Sequence, residues 1–250
     1  MIRIQKVQIP ELPTGEARRL YIYLPRDYAG SGRRYPVLYM FDGHNVFYDS
    51  HATYGKSWGM KEYLTRTRLP LIVAAIECNH EGERRMNEYA PWGYRDRRLG
   101  AMEGLGKVTM DWMSGPLKEM IDSSLRTLPD REHTLIAGSS MGGLMSLYAV
   151  TAYNEIYGRA AALSPSFYFG GQQLHSLITQ TPLRSPTRVY MDLGTGEIPE
   201  TQTAEREAFL EHRRQRRGRD GGGQGGYSLL LENEVIYKQD MPELHTYNDC

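Results

Sequence analysis

The chain has 250 residues, 40% of them hydrophobic, and its 30 basic side chains are balanced by 30 acidic ones. This length and hydrophobic content are enough for one substantial hydrophobic core, so we expect a single domain over residues 1–250. The balanced charge argues against a nucleic-acid-binding or membrane-surface protein, and no apolar run approaches the roughly 18 residues of a membrane span.

The N-terminus and the cysteines indicate the cellular compartment. The first residues, MIRIQKVQIPELP, lack the apolar core and small-residue cleavage site of a secretory signal, so we expect a cytoplasmic protein. Cys78 and Cys250 are too few for a disulfide framework and wrongly spaced for a zinc site, so free thiols are expected. The oligomeric state stays open, with a homodimer as one alternative.

Four strands are predicted in the first third of the chain. Residues 2–9 and 18–24 alternate with period two, which indicates an antiparallel start to a sheet. Residues 35–41 and 71–76 are continuous apolar runs, which are typical of strands buried on both faces. The sheet therefore begins antiparallel and continues with interior strands.

The segments between these strands have helical or loop character. A helix is expected around residues 58–65. Residues 78–106 are long, polar and rich in aromatics, and we expect a functional loop there. Residues 107–128 carry an apolar helical stripe, in which Gly115-Pro116 should kink or restart the helix.

A strand-to-helix turn follows at residues 133–150. Residues 133–137 form a short apolar strand, and residues 141–150 place apolar side chains at helical spacing. Between them, Gly138-Ser139-Ser140-Met141-Gly142 matches G-x-S-x-G, the nucleophile elbow. Its glycines let strand and helix pack closely around a strained serine, so Ser140 is the candidate nucleophile.

The last part of the chain continues the alternation. Strands are predicted at residues 160–163, 188–193 and 234–238, with a charged helix at 203–217 and an Arg/Gly-rich linker at 213–226. Strands interleaved with helices predict an α/β fold with a mainly parallel sheet. Ligands bind such sheets beyond the carboxyl ends of the strands, where Ser140 is expected.

A serine nucleophile needs a general base and an acid that orients it, in the chain order Ser, acid, His for an elbow of this type. We expect the acid after strand 188–193 and prefer Glu197, because the glycines before it allow the loop to aim its side chain at the site. Asp192, within the strand, and Glu200 remain alternatives.

The histidine should follow the last strand, which favours His245. His175 and His212 also lie downstream of the serine, but both fall in predicted helices. If His245 is the base, it takes the proton from Ser140 during attack.

Backbone amides must stabilise the oxyanion of the tetrahedral intermediate. One donor is expected from Met141, directly after the nucleophile, and the other from Gly43 or His44 in the loop after the second buried strand. Gly43 would let the backbone approach the substrate closely. His44 and Asn45 are candidates for substrate contact, or they cap the following turn.

Aromatic side chains are candidates for the walls of a substrate pocket, although core or lid packing is an equal alternative for each. They are Trp58, Tyr89, Trp92 and Phe167.

Several segments together resemble a known family. Residues 42–47, 87–92, 126–130 and 138–143, with Leu163-Ser164-Pro165, are similar to the putative-esterase branch of the α/β-hydrolase superfamily, which includes enterochelin esterase-like proteins, esterase D and carbohydrate or feruloyl esterases. The resemblance implies a mainly parallel sheet with helices on both faces, no metal and no organic cofactor. It also implies a final helix after the histidine, for which only Thr246 to Cys250 remain.

Carried onto this sequence, the resemblance implies Ser140 as nucleophile, Met141 and Gly43 as oxyanion donors, Glu197 as acid and His245 as base. The expected activity is hydrolysis of a small acyl, aryl, sugar or siderophore ester through an acyl-enzyme. Two alternatives stay open: an acyltransferase of the same fold, and a catalytically weak hydrolase-fold protein that acts as a binding module.

Overall fold

The computed structural model describes residues 1–13, 15–97, 100–184 and 186–192. Within them the strands are β1 (Ile2–Gln8), β2 (Ala17–Tyr23), β3 (Val37–Met40), β4 (Ile72–Ile76), β5 (Tyr94–Asp96), β6 (Gly100–Met102), β7 (Thr134–Ser139), β8 (Arg159–Leu163) and β9 (Arg188–Asp192). The α-helices are α1 (Met60–Thr67), α2 (Arg84–Glu88), α3 (Gly106–Trp112), α4 (Lys118–Ser124), α5 (Met141–Ala152) and α6 (Gly171–Gln180).

Seven strands form one sheet in the order β1-β2-β4-β3-β7-β8-β9. β1 pairs with β2, and β2 with β4, in antiparallel register. The other neighbours, from β4 across to β9, are all parallel. The predicted α/β fold with an antiparallel start and a mainly parallel sheet is therefore confirmed.

Helices cover both faces of this sheet. Side chains alternate along each interior strand, so that Val37 and Tyr39 of β3 join a core with α3 to α6, whereas Leu38 and Met40 join a second core with α1. This explains why the run predicted at residues 35–41 is apolar at every position: both of its faces are buried.

The segment predicted as a loop at residues 78–106 contains structure of its own, and that prediction was wrong. It holds α2 and an antiparallel hairpin of β5 and β6. The hairpin strands are three residues each, YRD and GAM, without the apolar alternation by which a strand is recognised.

The helix predicted over residues 107–128 is interrupted by a different kind of turn and ends earlier than expected. α3 passes into α4 through a π-helical turn, Met113–Leu117, which contains Pro116, and α4 ends at Ser124. A proline ring clashes with the carbonyl four residues before it in an α-helix, and the wider π-turn is one way to relieve that clash. The helical path thus continues through the proline instead of restarting.

No helix in the described part of the chain is long and apolar enough to cross a membrane. The helix predicted at 203–217, the linker at 213–226 and the strand at 234–238 lie outside the described residues.

Candidate active site

The backbone of Ser140 adopts the strained conformation expected of an elbow. Its φ of 57° and ψ of −119° lie outside the regions that residues with a side chain normally occupy, at a cost of about 1–3 kcal/mol. Its amide donates to the carbonyl oxygen of Leu163 at 2.9 Å, and its own carbonyl accepts from Leu144 at 3.0 Å and Ser166 at 3.1 Å. The turn is therefore held by β8, by α5 and by the loop after β8.

Packing explains the glycine at position 138, as predicted, and also the glycine at position 143, which lies outside the predicted motif. A Cβ added at Gly138 would lie 2.6 Å from the backbone of Gly142, where strand and helix meet. One added at Gly143 would lie 2.9 Å from the carbonyl oxygen of Leu163. Since backbone atoms cannot easily give way, both positions need glycine for β7, α5 and β8 to pack together.

The side chain of Ser140 is exposed, and its hydroxyl oxygen lies 2.8 Å from that of Ser166. The two serines are 26 residues apart in the chain. Sequence analysis did not identify Ser166, because no motif marks it. Only the pairing of β7 with β8 brings the loop that carries it to the elbow.

The loop after β3 lies directly against the elbow. A Cβ at Gly142 would be 3.0 Å from Cβ of Phe41 and 3.5 Å from a carboxylate oxygen of Asp42. The predicted oxyanion donors, the amides of Met141 and Gly43, are each one residue from this contact. The Met141 amide is the first in α5, where amides have no intrahelical partner.

The structure gives a packing reason for glycine at position 43 in addition to the predicted one. Its Cβ would lie 2.4 Å from the carbonyl oxygen of Ala75 in β4, so a side chain is excluded by the neighbouring strand. The preceding residue, Asp42, has a positive φ of 55°. The loop thus turns sharply and packs closely against the end of β4.

An ion pair fixes this turn. Both carboxylate oxygens of Asp42 accept from the guanidinium of Arg85, each at 2.8 Å, and the backbone amide of Asp42 donates to the hydroxyl of Tyr89 at 3.2 Å. Asp42 is buried, with 2% of its side chain exposed. Although burial alone would lower the pKa of Arg85, the bonds to Asp42 raise it above its usual value. Sequence analysis missed this bidentate pair.

The polar residues that follow Gly43, His44 and Asn45, both contact Thr53. His44 is buried, and its Nε2 lies 3.1 Å from the hydroxyl of Thr53. The side-chain oxygen of Asn45 accepts from the amide of Thr53 at 2.9 Å. Both side chains therefore hold the following turn, which is one of the two roles predicted for them.

The predicted aromatic residues do not form one wall. Tyr89 is buried against Phe41 with ring centroids 5.0 Å apart, and Trp92 packs edge-on against Tyr148 at 5.3 Å. Trp58 lies on the opposite face of the sheet, in the core that α1 covers. Phe167 is partly buried and directly follows Ser166.

The predicted acid and base fall largely beyond the described residues. Glu197 and His245, and the alternatives Glu200 and His212, lie outside them. Asp192 ends β9, and its carboxylate accepts from the amide of Ser164 at 2.9 Å.

His175, the remaining alternative base, is an exposed residue of α6. It stands on a helix, as predicted. Within the described residues, then, the structure brings together the predicted nucleophile, the two segments that carry the predicted oxyanion donors, and Ser166.

Comparison with known proteins identifies a family that matches most of the chain. A family described as "Putative esterase" matches residues 13–227. The uncharacterized protein YbbA of Bacillus subtilis (strain 168) is 25% identical over 193 residues, which cover 76% of this chain and 72% of that protein.

Solved structures share the fold. An IroE-like serine hydrolase from Shewanella oneidensis superposes with a TM-score of 0.58 at 22% identity, covering 76% of this chain and 60% of that one. The enterobactin esterase FES from Shigella flexneri, solved with 2,3-dihydroxy-N-benzoyl-serine, gives a TM-score of 0.57 at 16% identity, covering 86% and 51%. The present chain thus spans between half and two thirds of these two structures.

Proposed function

The chain belongs to the putative esterase family, and from this membership we propose that it is a serine carboxylic-ester hydrolase that works through an acyl-enzyme. One observation carries the proposal: the exposed hydroxyl of Ser140 stands on a strained strand-to-helix turn. Strain of this kind persists only where the surrounding structure enforces it, and it is concentrated at functional sites.

In the first step, the Oγ of Ser140 attacks the carbonyl carbon of the ester. A serine hydroxyl is a weak nucleophile at neutral pH, so His245 takes its proton while Glu197 orients the imidazole and stabilises its charged form. The order of Ser140, Glu197 and His245 along the chain is that of elbow-type hydrolases.

The negative charge on the carbonyl oxygen is stabilised by the amides of Met141 and Gly43, each worth about 3 kcal/mol in comparable sites. The contact of Gly142 with Phe41 and Asp42 supports this pairing, because it joins the two segments that carry the donors. The Asp42–Arg85 ion pair would then keep the Gly43 amide in place as charge develops.

Collapse of the tetrahedral intermediate breaks the ester bond, and His245 gives its proton to the departing alcohol. Water then attacks the acyl-enzyme, His245 accepts a proton from the water, and the acid leaves as Ser140 recovers its hydroxyl proton. Atoms balance as one ester and one water to one acid and one alcohol.

The substrate is proposed to be a small acyl, aryl, sugar or siderophore ester. Similarity to the enterobactin esterase FES favours an aryl siderophore ester as the first to test. Phe167 next to Ser166 offers an aromatic surface beside the nucleophile.

Labelling with a fluorophosphonate tests the nucleophile. We expect one adduct, at Ser140, and loss of both the adduct and nitrophenyl-acetate hydrolysis in Ser140→Ala. Ser139→Ala is the matched control, since it removes the neighbouring hydroxyl of the same motif and should keep labelling. Hydrolysis that survives in Ser140→Ala would overturn the mechanism, and a wild-type chain that neither labels nor turns over would favour a binding module.

Product analysis separates hydrolysis from acyl transfer. With an ester substrate and an added sugar or alcohol, a hydrolase releases mainly free acid. A dominant new ester would identify an acyltransferase, in which the acceptor alcohol replaces water on the same acyl-enzyme.

A further inference from the structure

Two histidines and a cysteine converge beside the loop that follows β3. His44 lies in the short 3-10 turn Gly43–Asn45, whereas Cys78 and His80 follow β4. Each offers a nitrogen or sulfur atom, and these three atoms lie within 4.8 Å of one another. The imidazole rings are nearly perpendicular, at 83°, with centroids 4.4 Å apart. None of the three is needed for the chemistry proposed at Ser140.

One of the two ring nitrogens of His44 is without a hydrogen bond in the described part of the chain. Its Nδ1 is buried and has no hydrogen-bond partner among the residues that the structure describes, while its Nε2 is engaged by Thr53. Burial lowers the pKa of His44 to about 4, so the imidazole is neutral near pH 7. A buried polar atom without a partner is costly and calls for an explanation, of which a missing ion is one.

His80 is oriented as metal-binding histidines are. Its Nε2 lies 2.9 Å from the carboxylate of Glu77, which is itself held by Arg19. Although burial alone would raise the pKa of Glu77, bonds from Arg19 and His80 lower it to about 2. A carboxylate that accepts from Nε2 fixes the tautomer in which Nδ1 carries the lone pair that a metal needs.

Cys78 supplies the third atom. Its thiol is buried, and burial together with the neighbouring charge of Asp42 raises its pKa. Without a metal, the Cys78 thiol therefore stays protonated and unreactive. A bound transition metal deprotonates a coordinating thiol outright, because the metal–sulfur bond replaces the sulfur–hydrogen bond and the proton leaves to solvent.

We propose that His44, Cys78 and His80 bind one zinc-class divalent ion through two imidazole nitrogens and one thiolate, with a fourth position open to solvent. Nitrogen and thiolate ligands are the set that zinc prefers. Bond lengths near 2.0–2.3 Å place tetrahedral ligands about 3.5 Å apart, so the cluster must contract slightly. His80 can provide this movement, because 50% of its side chain is exposed.

The proposed metal site adjoins the loop that carries the proposed oxyanion donor Gly43. Metal binding, however, does not require that the protein hydrolyses esters. His44 directly follows Gly43, and Cys78 neighbours Asp42. An ion here would clamp the loop after β3 to the segment after β4. Its presence is measured by binding and spectroscopy, which give the same answer whether or not the protein hydrolyses esters.

Metal titration of the full-length chain tests the proposal. After dialysis against a chelator, Zn²⁺ is titrated calorimetrically, and Co²⁺ is added in parallel as a spectroscopic probe. We expect one ion per chain and a near-ultraviolet thiolate-to-cobalt absorption band. Cys78→Ser should abolish the band, and both Cys78→Ser and His80→Ala should weaken zinc binding by about 100-fold or more.

Matched controls remove the same chemical groups elsewhere. Cys250→Ser takes away the other thiol, and His133→Ala takes away an exposed imidazole; both should bind zinc as the wild type does. If Cys78→Ser fails to fold, His80→Ala provides the test, because the His80 side chain is half exposed and its removal should leave the fold intact. Absence of stoichiometric binding, a cobalt complex without the thiolate band, or unchanged affinity in His80→Ala would each overturn the site.

Discussion

The hydroxyl oxygens of Ser140 and Ser166 lie 2.8 Å apart, and the amide of Ser166 donates to the carbonyl oxygen of Ser140 at 3.1 Å. Ser166 therefore holds both the side chain and the backbone of the proposed nucleophile. Substitution of its side chain removes the first contact and keeps the second, which makes a positioning role testable without loss of the elbow.

Ser166→Ala should lower kcat/KM for ester hydrolysis by about 2- to 10-fold, the net worth of one neutral hydrogen bond. Ser166→Thr keeps the hydroxyl and should restore most of the rate. Both are measured by steady-state kinetics, and the thermal midpoint is followed beside them and should fall by no more than about 6 °C. A rate in Ser166→Ala equal to that of the wild type would show that the contact has no role in turnover.

Gly138→Ala should destabilise the fold by about 1–3 kcal/mol, because its methyl group meets the backbone of Gly142. Urea unfolding followed by circular dichroism measures the change. Gly115→Ala is the matched control: nothing lies within 4 Å of its Cβ, and alanine is the better helix former. The explanation of the elbow glycines fails if both substitutions have the same effect.

Arg85→Met should cost about 3–5 kcal/mol of unfolding free energy, because it leaves the buried carboxylate of Asp42 without its partner. Arg85→Lys should recover part of this, since an ammonium group keeps the charge but not the bidentate geometry. Chemical denaturation near pH 7 gives both values.

The neighbouring Arg84 provides the control for charge removal. Its ion pairs with Glu16 and Glu81 lie at the surface, so Arg84→Met should change stability by less than about 1 kcal/mol. If Arg84→Met and Arg85→Met prove equally harmful, the loss reflects net charge rather than the Asp42 contact.

Asp49 should titrate unusually low. Its carboxylate accepts from the amide and hydroxyl of Ser57 and from Lys56, and these bonds, led by the Ser57 amide, lower its pKa from 3.8 to about 2. The folded-state pKa lies below the unfolded one, so these bonds stabilise the fold above about pH 3.8 and are lost as the pH falls towards 2.

Ser57→Ala removes the hydroxyl and keeps the amide, so the pKa of Asp49 should rise part of the way to its ordinary value. Carboxylate carbon shifts followed by NMR through a pH titration report it. Ser123→Ala, whose hydroxyl bonds only a helix carbonyl, should leave Asp49 unchanged. No upward shift in Ser57→Ala would contradict the assigned bonds.

His245→Ala should lower kcat by at least about 10³-fold while KM changes little, because a general base acts in the transition state rather than in binding. His175→Ala, in the exposed α6, is the control and should retain full activity. An undiminished rate in His245→Ala would direct the search to His212 or His44.

The strands of the large sheet could be predicted closely because their residues face two cores and are apolar on both sides, as in β3 and β4. The elbow was recognisable because packing requires its glycines at fixed spacing. The β5–β6 hairpin was not, since its short strands carry no apolar alternation.

Contacts between distant residues were also beyond sequence reasoning. The Asp42–Arg85 pair spans 43 residues, and the Ser140–Ser166 contact spans 26. No local pattern marks either partner, because each contact exists only once the strands have assembled in the order observed. His44 was recognised as a polar residue near the site, but its burial and its unpartnered nitrogen depend on the turn around it.

The bond from the amide of Ser140 to the carbonyl oxygen of Leu163 makes the geometry of the elbow depend on β8. The elbow cannot hold its strained conformation until β8 has docked, and the loop after β8 is in turn bonded through the amide of Ser164 to Asp192 at the end of β9. Closing the intervening loops costs entropy, so the strained turn is stable only while both sets of contacts are made. A ribosome-bound chain that has exposed the whole G-x-S-x-G motif but not yet β8 therefore carries the serine without the geometry that would make it a nucleophile.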